Sequence, residues 1–87
     1  MPLTEAQEPK YSTDVRGRLF NRESGEVIPD DEPVFIFRAR DIHAAEGLAR
    51  YAVTCNDESH RNTILTRWKH FMDFKKKYQN RMKEPDS

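Results

Sequence analysis

The stretch Val34-Phe35-Ile36-Phe37-Arg38-Ala39-Arg40-Asp41 is where the reading of the fold turns. Its first half is rich in β-branched and aromatic residues and is bounded by turn formers, which predicts a strand over Val34–Ala39. Side chains alternate along a strand, so Phe35 and Phe37 share one face, and Val34 and Ile36 the other. Both faces are apolar. One can pack on helices; the other needs a second cover, from the N-terminal arm, a partner or a second copy of the chain. After Arg40 the apolar period changes from 2 to about 3.6, and Asp41 is a good helix N-cap.

Downstream of Asp41, Ile42, Ala45, Leu48, Ala49 and Ala52 fall on one helical stripe, and Ala44, Leu48, Tyr51 and Cys55 on an adjoining one. Gly47 lies inside this helix and costs about 1 kcal/mol relative to Ala unless a neighbouring element needs the missing side chain. The helix is expected to end near Cys55-Asn56, with Asp57 or Ser59 capping the next one. That second helix is expected from about Glu58 to near Arg81. Ile64, Leu65, Trp68, Phe71, Met72, Tyr78 and Met82 repeat at 3- and 4-residue steps, with Lys75 interrupting the stripe. It outruns its partner, so its last turns, from about Phe74, must meet something other than the first helix.

Upstream, Arg18-Leu19-Phe20 and Glu26-Val27-Ile28 read as short strands around a turn at Asn21-Arg22-Glu23-Ser24-Gly25, with Gly25 at positive φ. Pro29 and Pro33 interrupt strand pairing on either side of Asp30-Asp31-Glu32. Residues 1–12 hold two prolines, two glutamates and few large apolar groups, which predicts a flexible arm with Tyr11 anchoring its end. The expected organisation is this arm, a single α+β domain over 13–83 and a disordered polar tail over 84–87. The fold class is α+β: a short antiparallel hairpin or three-stranded meander, then an antiparallel two-helix hairpin.

The chain has 87 residues and a formal net charge of zero, 15 Lys and Arg against 15 Asp and Glu, but the charges are segregated. Residues 1–37 carry four basic and eight acidic groups, a net of −4, and residues 60–83 carry eight basic groups against Asp73 alone, a net of +7. A basic helix of this kind suits a phosphate backbone or an acidic protein surface. The candidate partner- or anion-binding residues are Arg67, Lys69, Lys75, Lys76, Lys77 and Arg81. Arg38 and Arg40, near a helix N-terminus, complete the set. The plainer reading is that the lysines are the solvated back of an amphipathic helix, and that Arg38 and Arg40 pair with the acidic loop.

Catalytic and metal chemistry have little support. A small domain leaves little room for an enclosed active site. His43 and Glu46 are one helical turn apart and His60 is near Cys55, yet no CxxC, HExxH or EF-hand spacing is present. Cys55 lacks a nucleophile elbow or oxyanion loop and reads as a buried helix-end thiol. The three glycines are too dispersed for a phosphate-cradling loop. No metal, cofactor or enzymatic activity is therefore expected. No apolar run approaches a membrane span, no secretory signal is visible and a single cysteine suits a reducing compartment, so a cytoplasmic protein without membrane association is expected.

The run Gly25-Glu26-Val27-Ile28-Pro29-Asp30-Asp31-Glu32-Pro33-Val34-Phe35-Ile36-Phe37-Arg38-Ala39-Arg40-Asp41 resembles a segment of small, uncharacterised proteins encoded by tailed bacteriophages and prophages. In those proteins a GE-x-x-P-x-DEPVF-x-x-RA-x-D run precedes a helical pair; the similarity covers mainly residues 17–52. The resemblance implies a genomic setting and a mode of action by binding, with no functional residue attached. The function expected is that of a non-enzymatic phage or prophage accessory protein that binds a host protein, such as a defence or regulatory factor. The alternative is a nucleic-acid or nucleotide binder using the basic helix. Self-association into a homo-oligomer fits the two apolar faces of Val34–Phe37.

Overall fold

The computed structural model describes residues 2–84 and has the α+β order expected, a two-stranded antiparallel hairpin followed by a helical hairpin. The chain forms two compact units, Met1–Phe35 and Ile36–Ser87.

In the first unit, β1 (Tyr11–Thr13) pairs with β2 (Leu19–Asn21), Ser12 facing Phe20. The connecting loop is organised by Asp14. Its carboxylate accepts from the backbone N–H of Arg16 and Arg18, at 2.9 Å each, and from Arg18 Nε at 2.8 Å. The Arg18 backbone N–H in particular holds the Asp14 carboxyl below its usual range. The return strand expected over Glu26–Ile28 is reduced to one bridge, Phe20 with Val27, flanked by Asn21 N–H to Glu26 C=O at 2.8 Å and Ile28 N–H to Leu19 C=O at 2.9 Å. Gly25 turns this corner at φ 76°, as expected. The boundary of the expected arm at residue 12 falls inside β1. Leu3 is also tied down, its carbonyl accepting from Ser12 Oγ at 3.1 Å and Arg22 Nη2 at 2.6 Å.

The strand expected over Val34–Ala39 does not form. A strand exists only with a ladder partner, and here Pro33 removes one N–H donor while turns at Pro29–Glu32 and Arg38–Asp41 bound the segment. Val34, Phe35 and Ile36 are 53%, 80% and 68% exposed. The segment is a connector between the units instead of the core.

In the second unit α1 (Ala44–Thr54) and α2 (Glu58–Lys77) pack together across a three-residue link. Asp41 does not cap α1 directly. Its side chain accepts from His43 N–H at 2.8 Å and its carbonyl from Ala44 N–H at 3.1 Å, so it closes the turn that leads into the helix. Ala44, Ala52 and Cys55 are buried, as small residues on a closely approached face should be. Gly47 has the reason its position demanded: a Cβ there would lie 2.8 Å from Phe37 Cζ, so the glycine is what lets the Phe37 ring rest on α1. Asp57 caps α2, accepting from His60 N–H at 3.1 Å.

α2 ends at Lys77, four residues short of the expected Arg81, and a 3-10 turn follows at Gln79–Arg81. The chain then doubles back. Lys83 N–H donates to Arg40 C=O at 2.9 Å and Ile42 N–H to Lys83 C=O at 3.1 Å, forming a parallel bridge between Asp41 and Lys83. The last turns of the unit thus meet the approach to α1. The polar tail expected over 84–87 lies, from Pro85 on, outside the described residues.

Candidate interaction surface

The basic end of α2 is built by helix geometry. Arg67, Phe71, Phe74 and Tyr78 follow 4-, 3- and 4-residue steps and form the half-buried inner stripe. Lys69, Met72 and Lys76 follow 3- and 4-residue steps on an outer one, and Met72, Lys75 and Gln79 a neighbouring line. Lys69, Lys75, Lys76 and Lys77 are exposed. Three lysines in the last turn complement the partial negative charge of the helix C-terminus, which offsets part of their mutual repulsion.

The aromatic rings nearby are already engaged. Phe74 and Tyr78 meet at a tilt of 47° with centroids 4.9 Å apart, and the Arg81 guanidinium lies 4.9 Å over the first ring and 5.0 Å over the second. Lys77 Nζ lies 5.3 Å over Tyr78. Tyr78 leaves the helix at φ −125°, ψ 51°, and the 3-10 turn that follows carries Arg81 over Phe74 and Tyr78. This cation–π cluster engages both rings, while Arg81 itself stays exposed.

Beside the lysines is an open depression lined by Met72, Asp73, Lys75, Lys76, Gln79 and Met82. Met72 and Met82 belong to the apolar stripe expected to be buried, yet Met72 is exposed and Met82 half-buried. The lining of the depression thus combines two adaptable methionines with two lysines, one carboxylate and one amide.

The remaining candidates lie apart from this cluster. Arg38 is exposed on the connector, and Arg40 is half-buried with its carbonyl held by Lys83. His43 pairs with Glu84 at 2.7 Å and not with Glu46, whose carboxylate binds Arg50 at 3.1 Å. The Glu84 carboxylate raises the His43 pKa above 6.5, by hydrogen bonding first and by charge second. His60 meets Tyr51 edge-on, and Cys55 is buried with its thiol directed at the Tyr51 carbonyl. Among the described residues no group of three or more His, Cys, Asp or Glu side chains is placed to hold a metal ion, and no helix is long and apolar enough to cross a membrane.

No family model, curated protein or solved structure matches the chain.

Proposed function

We propose that this chain is a non-enzymatic accessory protein of a phage or prophage that acts in the bacterial cytoplasm by binding a host protein, and that the basic end of α2 is its contact surface. One observation carries the reading: exposed Lys75 and Lys76 line one depression together with Met72 and Met82, and Lys77 follows them in the chain. That surface fits a partner segment with an apolar anchor and flanking carboxylates, since the methionines take the anchor and the lysines the charge. The genomic setting rests on the resemblance of residues 25–41 to phage and prophage proteins.

The second reading, a nucleic acid or nucleotide on the same helix, is favoured by its net charge of +7 over residues 60–83. Engagement of Phe74, Tyr78 and Arg81 with one another leaves that ligand phosphate contacts without base stacking on these rings.

Affinity capture from bacterial lysate separates the two. The protein account predicts bands that survive nuclease treatment and disappear with Lys75/Lys76/Lys77→Glu. Bands lost on nuclease treatment transfer the surface to nucleic acid, and bands retained by the triple variant remove it from this helix end.

A further inference from the structure

The depression at the end of α2 suits an apolar anchor flanked by carboxylates, and the first unit carries a segment of that chemistry. Asp30, Asp31 and Glu32 are consecutive and exposed, and Val34 and Phe35, just beyond Pro33, are 53% and 80% exposed. The Glu32 N–H donates to the Pro29 carbonyl at 3.1 Å, a turn that puts Asp30 and Asp31 at its tip. Pro29 and Pro33 bracket the three carboxylates and stiffen the backbone, so less freedom is lost when their side chains are held. Among the described residues none of these carboxylates has an ion-pair partner, and neither has Lys75 or Lys76. Three adjacent acidic groups thus stand against three adjacent lysines at 75–77, and Val34 and Phe35 against Met72 and Met82.

We infer that residues 30–35 of one copy dock on the depression at the end of α2 of a second copy. Asp30, Asp31 and Glu32 then meet Lys75, Lys76 and Lys77, and Val34 and Phe35 lie on the two methionines, which adapt to the shape they meet. The lining holds one carboxylate, Asp73, against two lysines, so it stays cationic. Only side chains make the contact, and the backbone bond of the Pro29–Glu32 turn stays in place. The contact joins two different patches, and two copies that exchange it close into a dimer. Self-association uses the surface proposed for the host partner and competes with it, but it requires no host partner to form.

Sedimentation equilibrium of the purified chain tests the contact. The wild type is expected to associate at low salt and less so as salt rises. Asp30/Asp31/Glu32→Lys and Lys75/Lys76/Lys77→Glu each set like charges against one another, weakening self-association by about a hundredfold or more. Mixing the two variants restores it, because the inverted segment of one meets the inverted helix end of the other, and the two native patches meet as well. Cross-linking locates the contact. In a Cys55→Ser background, an equimolar mixture of Val34→Cys and Gln79→Cys chains under mild oxidation should give the mixed disulfide in excess of its share from random pairing. A monomeric wild type, either charge variant associating as well as the wild type, or a mixed disulfide at or below its random share would overturn the inference. Asp30/Asp31/Glu32→Lys leaves the α2 surface unchanged and keeps any host bands captured from lysate, so failure of the self-contact and failure of the host reading are told apart.

Discussion

Gly47→Ala tests the packing of the second unit at its closest point. Gly lies inside α1, so alanine gains about 1 kcal/mol in helix propensity. The new Cβ lies 2.8 Å from Phe37 Cζ and 3.3 Å from Phe37 Cε1, against an ordinary carbon contact of about 3.5–4.0 Å. The ring tip must therefore withdraw by about 1 Å, or the ring must leave. Phe37 is 37% exposed, and full burial of a Phe side chain contributes about 1.5–3 kcal/mol, so losing its seat costs about 1–2 kcal/mol. In the wild-type background the two effects nearly cancel or leave a net loss of about 1 kcal/mol. In a Phe37→Ala background only the gain remains. The double-mutant cycle should then give a coupling of about 1–2 kcal/mol, measured by urea unfolding followed by far-ultraviolet circular dichroism with the denaturant slopes checked for constancy. A coupling below about 0.3 kcal/mol would refute the contact, because Gly47→Ala would then stabilise the protein whether or not the ring is present.

Other contacts make equally definite predictions. Asp57→Ala removes the cap of α2 and is expected to lower stability by about 1 kcal/mol, while Asp57→Asn retains most of it, as thermal melts will show. His43 should titrate above its ordinary 6.5 by NMR and return toward it in Glu84→Gln. Because its pKa is raised in the folded state, this contact contributes stability fully below 6.5 and loses it as pH rises through the folded value. Asp14 has the opposite sign: its pKa is lowered by hydrogen bonds from Arg18 and Arg16, so its contribution is present above 3.8 and fades as pH falls through the folded value. Buried Cys55 should react with a thiol reagent far more slowly in the native protein than in denaturant.

The features legible in the sequence are those decided within a few residues. Asp57 as a cap, Gly25 at positive φ, the small face of α1 and the need for a missing side chain at Gly47 all follow from local chemistry. The strand at Val34–Ala39 was misread because strand propensity is satisfied only by a partner, and composition cannot say whether the same chain supplies one. β1 was hidden in a polar stretch: Tyr11-Ser12-Thr13 has little apolar content, and its place depends on Arg22 and Ser12 meeting Leu3. The return of the chain after α2 rests on Lys83 bonding with Arg40 and Ile42, and the His43–Glu84 contact joins residues 41 apart. Of the candidate site, the lysine run was visible as charge. Its methionine lining was not, because helical periodicity marks Met72 and Met82 as core without showing that the outer stripe lacks a cover.

The contact surface itself is tested most directly by placing a photo-crosslinking residue at Gln79, which lines the depression with Met72 and Met82, and another at exposed Ser24 in the first unit. Irradiated in bacterial extract, the Gln79 probe is predicted to give a discrete protein adduct that resists nuclease and is lost with Lys75/Lys76/Lys77→Glu, while the Ser24 probe gives none. An adduct formed at Ser24 alone, or one at Gln79 that persists in the triple variant, would contradict a partner held by the basic end of α2.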